Sequence, residues 1–273
     1  MTEFVPGILS GSISSDLVLP TATYIRSFAF ADWNNAGCPK KVYAPACVVV
    51  RSSAFYNCRL TEAHFPKAKF VGTMAFMLNA TMSVASFPEC AYVGGSAFTD
   101  AGIVSVTLPK CTEVLSYAFS ACKSMVRAEL PKAVHLSGYV FSNCSNLLYA
   151  DVGNAVSIGA GGFDGCKKLV EVKADRLQRV MDFTFRSCFS ISTLSFPNCT
   201  RIEQRAFSYC SALSSLYLMG SVPVYLEQST AFNTASWFVP STGSGHIYVP
   251  SSLYSVYLSA YMWSYFSNML TPL

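Results

Sequence analysis

Eleven cysteines, three histidines and a scatter of carboxylates are the residues of this chain that could do chemistry. Thiolates attack electrophiles, bind soft metals or cross-link, and imidazoles move protons near neutral pH. Each of these roles needs companions at fixed spacing. No C-x-x-C occurs, so the usual zinc patterns are absent. His64 falls at an outward strand position, His135 in a turn and His246 in a connector, and none sits in a nucleophile or metal motif. The G-x-S-x-G elbow of hydrolases is missing. Gly153, Gly159, Gly161, Gly162 and Gly165 cluster, but Cys166 stands where a phosphate loop needs lysine, so these glycines read as bends with positive φ. Asn79-Ala-Thr81, Asn143-Cys-Ser145 and Asn198-Cys-Thr200 match the glycosylation pattern as coincidences of the sequence. An enzyme working through its thiols is the weakest reading, and no cofactor or metal is expected.

The spacing of the cysteines says more than their number. Cys122, Cys144, Cys166, Cys188 and Cys210 recur every 22 residues, and Cys90, Cys111 and Cys199 share a second column. Stacked equivalents lie about 4.8 Å apart, but their parallel Cβ vectors do not close to the roughly 3.8 Å of a disulfide. The columns therefore read as free, buried thiols that behave as small hydrophobes and donate weakly to bend carbonyls. An odd number of thiols suits a reducing or anaerobic setting.

Columns imply a repeat. A Phe preceded by a small residue recurs as Phe30, Phe55, Phe76, Phe98, Phe119, Phe141, Phe163, Phe185, Phe207 and Phe232, mostly 21 or 22 residues apart. Ten or eleven residues after a Phe, an apolar residue and often a Pro close a short run, as at Phe65-Pro66, Phe87-Pro88, Leu108-Pro109, Leu130-Pro131 and Phe196-Pro197. The run before the Pro alternates inward and outward, the strand period. One such strand in a period of this length marks a solenoid, whose turns bury their apolar sides only against neighbours. Eleven candidate strands at about 4.8 Å give an array roughly 50 Å long.

The pattern I/V-x-x-x-A-F-x-x-C-x-x-L-x-x-V-x-L-P, nearly complete from Val114 to Pro131 and from Ile202 to Leu218, resembles the BspA-type leucine-rich repeat of bacterial surface proteins. Asn79 and Ala101 depart from it at the Cys position. The resemblance implies a leucine-rich repeat solenoid: a curved, right-handed, mostly β array with a parallel sheet on one face and short turns. It also implies a cell-surface or secreted module that binds an extracellular protein or glycan in adhesion.

An apolar content of 52% with 12% charge fits such a continuous core. No run approaches the roughly 20 apolar residues of a membrane span. The net charge of +4 is scattered and gives no reason to expect nucleic acid. Residues 1–16 are expected to be a lead-in with no visible signal peptide, 17–235 an array of about ten turns, and 236–273 a C-terminal strand and helical cap. Within the first turn, Ala31 to Lys41 is an insertion suited to a capping repeat. Ser241 to Gly245 reads as a connector and Ile247 to Pro250 as a last strand. A helix over Ser251 to Met269, capped by Ser251 or Ser252, is then expected to lie over the open end of the sheet.

Outward positions on successive strands form two rows. Arg127, Tyr149, Glu171 and Thr193 make one; Thr107, Glu129, Asp151, Lys173, Ser195 and Tyr217 make the other. Arg127, Glu129, Tyr149, Asp151, Glu171 and Lys173 are the candidate ligand-binding patch, a polar surface with one aromatic anchor. The competing reading is that these charges only keep the surface soluble and the register fixed. A non-enzymatic, monomeric binding array is thus the expectation. The alternative is a structural spacer in a larger secreted or phage-tail-like fibre.

Overall fold

The computed structural model describes residues 3–4, 16–34, 37–232 and 244–273. The chain winds as a parallel β solenoid, as the repeat requires, with two strands per turn where the sequence showed one. Face strands of about three residues include Arg127–Glu129, Tyr149–Asp151 and Glu171–Lys173. Back strands of two residues, such as His135–Leu136 and Ser157–Ile158, run along another side. Among the described residues the back strands form one eleven-stranded sheet from Glu3–Phe4 to Tyr225–Leu226, and the face strands form three four-stranded sheets. Both sets pair parallel, 22 residues apart in the middle of the array, as in Arg127↔Tyr149 and His135↔Ser157. The lead-in supplies the first back strand, Glu3–Phe4.

The remaining side of each turn carries the Phe and no strand. Residues two before and two after the Phe have positive φ, as at Tyr117 (61°) and Ala121 (56°) around Phe119. This alternation turns the N–H groups of Tyr117, Phe119 and Ala121 toward the next turn, where Gly138, Val140 and Ser142 accept at 3.0, 2.9 and 2.7 Å. Gly161 (φ 66°) and Gly165 (φ 73°) occupy those positions around Phe163, which accounts for part of the glycine cluster.

The Phe rings stack from Phe30 to Phe232 as one column, with centroids 5.3 Å apart at Phe98 and Phe119 and 5.4 Å at Phe141 and Phe163. Such pairs add about 0.5–1.5 kcal/mol each beyond the area they bury. Phe65, Phe87 and Phe196 belong to a second column, and Phe65 and Phe87 meet the first edge-on.

The thiols fill the next column. All eleven cysteines are free and buried. Cys122, Cys144, Cys166, Cys188 and Cys210 each donate to the carbonyl of the Phe one turn earlier, at 2.9–3.2 Å. Asn79 takes the Cys place with the same bond, Nδ2 to Phe55 O at 2.7 Å, and gives a second to Phe76 O at 3.0 Å. That second carbonyl is the one Ala101 leaves without a thiol. One amide thus covers two departures from the repeat. Its full burial also removes Asn79 as a glycan acceptor.

The C-terminal end differs from expectation. The α-helix covers only Tyr254–Ser259, because Ala260 turns extended with ψ 128°. Trp263–Phe266 is then a 3₁₀ turn, and Leu270–Pro272 returns as one more face strand, parallel to His246–Val249. Neither serine caps the helix; Ser251 Oγ donates to Leu273 O at 2.9 Å. The segment does cover the end of the back sheet. Val224, next to the last back strand, donates its N–H to Tyr257 Oη (2.9 Å), and its carbonyl accepts from Trp263 Nε1 (2.7 Å). Two side chains therefore stand in for the next strand. The expected boundary at 235/236 and most of the connector Ser241 to Gly245 lie outside the described residues.

Asn79 yields a sharp prediction. Asn79→Ala strands two buried carbonyls and is expected to lower stability by about 2–4 kcal/mol at roughly 1–2 each. Asn79→Cys strands only Phe76 O, and adding Ala101→Cys should recover about 1 kcal/mol of that loss. Urea unfolding of the three variants checks this; equal stability of Asn79→Cys with and without Ala101→Cys contradicts the shared-donor account.

Candidate functional site

Alternation on the face strands sends every second side chain outward. In Arg127–Glu129 and Tyr149–Asp151 the central Ala128 and Ala150 are fully buried, so their neighbours face solvent. The strand pairing sets Arg127, Tyr149 and Glu171 in one row and Glu129, Asp151 and Lys173 in the other, on three adjacent strands.

Within this patch the charges find partners at once. The Arg127 guanidinium lies 4.0 Å from the centre of the Tyr149 ring and donates Nε to Glu129 Oε1 at 2.8 Å. Thr107 Oγ1 donates to the other Glu129 oxygen at 3.1 Å. Arg127 is the main cause holding the Glu129 carboxyl below its ordinary value, with Thr107 adding to the effect. Partial burial, with the Asp151 charge secondary, raises the Tyr149 phenol. Asp151 accepts from the Gly153 N–H at 3.0 Å and lies 4.0 Å from Lys173 Nζ. Arg127, Glu171 and Lys173 remain exposed. The patch is thus an aromatic ring under a cation, flanked by both signs of charge.

Two further clusters share the face, and sequence reading did not single them out. Toward the N-terminus, Lys41 and Glu62 pair at 2.7 Å, and Glu62 meets His64 Nε2 at 2.9 Å. Toward the C-terminus, Tyr217 and Tyr248 stack at 4.4 Å with His246 beside them. Tyr217 stood in the predicted row, but its partner lay past the loosened register, where no Phe marker remained. His246 opens a face strand and does not lie in a connector; His135 lies in a back strand and not in a turn.

Elsewhere the chemistry is restrained. Asp182, Glu203 and Glu227 bring carboxylate oxygens within 4.8 Å of one another on the back side. Two guanidinium groups already answer two of them, since Arg179 pairs with Glu203 and Arg201 lies 3.4 Å from both Glu203 and Glu227, while among the described residues Asp182 Oδ2 meets only Gln204 Nε2 at 3.5 Å. Burial pushes the thiols of Cys90 and Cys199 up to about 11 and that of Cys210 up to about 12, so they stay protonated at neutral pH. Among the described residues no helix is long and apolar enough to cross a membrane.

A family profile described as BspA type leucine rich repeat region (6 copies) matches residues 10–126, 48–169 and 134–266. Solved structures align over most of the chain at low identity. A leucine rich cell surface protein of Faecalibacterium prausnitzii A2-165 is 16% identical, covering 91% of this chain and 89% of its own, with a TM-score of 0.40. The pneumococcal vaccine antigen PcpA is 13% identical, covering 96% and 88%, with a TM-score of 0.42. A leucine-rich repeat protein of Bacteroides ovatus ATCC 8483 is 16% identical, covering 94% and 91%, with a TM-score of 0.40. No protein of curated function matches the chain.

The Arg127–Glu129 pair makes a pH prediction. Glu129's folded pKa is depressed, so its contribution to stability is complete above the ordinary value of 4.5 and is lost as pH falls through the lowered one. Arg127→Ala should move the Glu129 titration up toward 4.5, read by carboxyl-carbon NMR; an unmoved titration would show that the guanidinium is not the cause.

Proposed function

Because the chain belongs to the BspA-type leucine-rich repeat family, we propose that it is a non-enzymatic binding module, a monomeric array held at or outside a bacterial cell surface. It takes an extracellular protein or glycan on its face strands. The observation that carries this reading is the central patch, where the Arg127 guanidinium covers the Tyr149 ring in one row and Asp151 and Lys173 stand as a charged pair in the next. Aromatic and arginine side chains supply most hot spots of interfaces, and here they sit side by side on a rigid sheet. The partners within the patch hold one another weakly, since exposed ion pairs contribute about 0–1 kcal/mol each. A ligand can therefore exchange them for its own groups at small cost. Those same internal pairs are also what a plain spacer would show, and binding separates the two.

An array of glycans and extracellular matrix proteins, probed with the wild type, Tyr149→Ala and Glu171→Ala, tests the proposal. Tyr149→Ala is expected to weaken the bound member by about tenfold or more, equivalent to about 1.4 kcal/mol. Glu171→Ala should weaken it less, and thermal unfolding of both variants should match the wild type, because neither side chain is part of the core. Absence of any bound member, or binding indifferent to both changes, removes the face patch and leaves the spacer within a larger fibre.

A further inference from the structure

The bend that leads into each face strand carries one side chain whose type changes along the array. From the third turn onward that position reads Thr61, Ser83, Val104, Val126, Leu148, Val170, Ser192 and Ser214. The backbone there is the same in polar and apolar turns. Ser83 N donates to Thr61 O at 3.0 Å and Ser214 N to Ser192 O at 2.9 Å; Val126 N donates to Val104 O at 2.8 Å, Leu148 N to Val126 O at 2.9 Å and Val170 N to Leu148 O at 3.0 Å. Serine and threonine therefore satisfy the fold at this place, yet four consecutive turns carry aliphatic side chains.

Those four reach solvent. Val104, Val126, Leu148 and Val170 are 45%, 38%, 40% and 51% exposed. At about 4.8 Å per rung they form one ridge roughly 15 Å long. The ridge stops at Ser83 and Ser192, and it borders the row of Arg127, Tyr149 and Glu171. Two residues earlier in each turn, past the buried Met125, Leu147 and Leu169, come the polar Ser124, Asn146 and Lys168. An apolar centre with a polar rim is the anatomy of a protein interface. A glycan suits the ridge poorly, because its hydroxyls would give up water to side chains that return no hydrogen bond. The rim narrows the partner further. Arg127 pairs with Glu129 and Lys173 with Asp151, which leaves the exposed Glu171, next to Val170, without an ion pair among the described residues.

We propose that Val104, Val126, Leu148 and Val170 are the centre of a protein-docking surface, whose partner lays an apolar segment along the ridge and sets a lysine or arginine against Glu171. The inference rests on the reading that this face takes an extracellular partner, and it selects protein over glycan. Charge at the rim orients the partner, while the aliphatic centre supplies the area that binding removes from water.

The test uses a substitution that the array itself supplies. Val126→Ser combined with Leu148→Ser continues the serines of the neighbouring turns into the ridge, so the double variant is expected to fold, as circular dichroism checks. Labelled wild type, the double variant, Glu171→Lys and Tyr149→Ala are applied to an array of extracellular matrix proteins and to a glycan array. The expected result is a bound protein whose affinity falls about tenfold or more in the double variant and in Glu171→Lys. Glu171→Lys leaves the ridge untouched, so it decides the matter if the double variant fails to fold. Glycans bound without any protein overturn the proposal and leave the broader reading of the face standing. A bound protein that responds to Tyr149→Ala but not to the serines or to Glu171→Lys does the same. Sedimentation velocity separates a further occupant: a wild-type dimer that the serines dissociate makes the partner a second copy of this chain and overturns the proposal. No member bound on either array removes both this inference and the reading beneath it.

Discussion

Every turn of this protein depends on the next for its backbone. On the Phe side the chain alternates left- and right-handed residues, and the N–H groups of Tyr117, Phe119 and Ala121 find acceptors only on the following turn. Among the described residues, sixteen non-glycine residues adopt positive φ to make this possible. A left-handed residue costs about 1–2 kcal/mol, so a single turn in isolation would not hold the conformation. None of the sixteen is Val, Ile or Thr, the types whose branched Cβ tolerates that region least. The strain persists because stacking repays it with inter-turn hydrogen bonds and a continuous column of rings, an interaction between neighbours of the kind that governs repeat proteins generally.

The cysteines follow from the same geometry. From Phe98 to Phe207 each Phe carbonyl of the column already accepts an N–H from within its own turn, as Phe141 O does from Cys144 N, and it retains a lone pair that faces the adjacent turn. A thiol is small enough for the column and donates weakly, which suits a carbonyl that is already half satisfied. Asn79 shows the requirement from the other side: a stronger donor with two hydrogens serves two carbonyls, but its own Oδ1 is left buried without a partner. The repeat thus uses cysteine for shape and donation, and the resulting burial raises thiol pKa values and removes reactivity.

How much of this was legible depends on how many residues carried each signal. The Phe and Cys columns were plain because one residue type marks each turn, and the face strands were plain because Arg127, Ala128 and Glu129 already alternate. The back strands were not, since His135–Leu136 offers a single outward and a single inward residue, too short for any period to show. Positive φ was unreadable beyond Gly161 and Gly165, because Phe, Tyr, Met and Arg occupy the equivalent places elsewhere. The helix over Ser251 to Met269 had real spacing at Leu253, Val256 and Tyr257, but nothing in Ala260 announced an extended residue, and the final strand depends on pairing with His246–Val249. For the patch, rows were fixed by the 22-residue register. Which charges pair was not, because Arg127 turns along its own strand to Glu129 and also covers Tyr149 on the next.

That last distinction bears on how such a surface can change while the fold stays fixed. The inward residues of the face strands answer to the columns, and a substitution there disturbs two neighbouring turns. The outward residues answer only to one another across a rung of about 4.8 Å. Three clusters of different character stand on one face: Lys41, Glu62 and His64; Arg127, Tyr149 and Lys173; and Tyr217, Tyr248 and His246. The scaffold beneath them is the same repeat each time. A face built this way separates surface chemistry from folding, because each rung can vary its two outward side chains while the stacking that determines the fold goes on beneath.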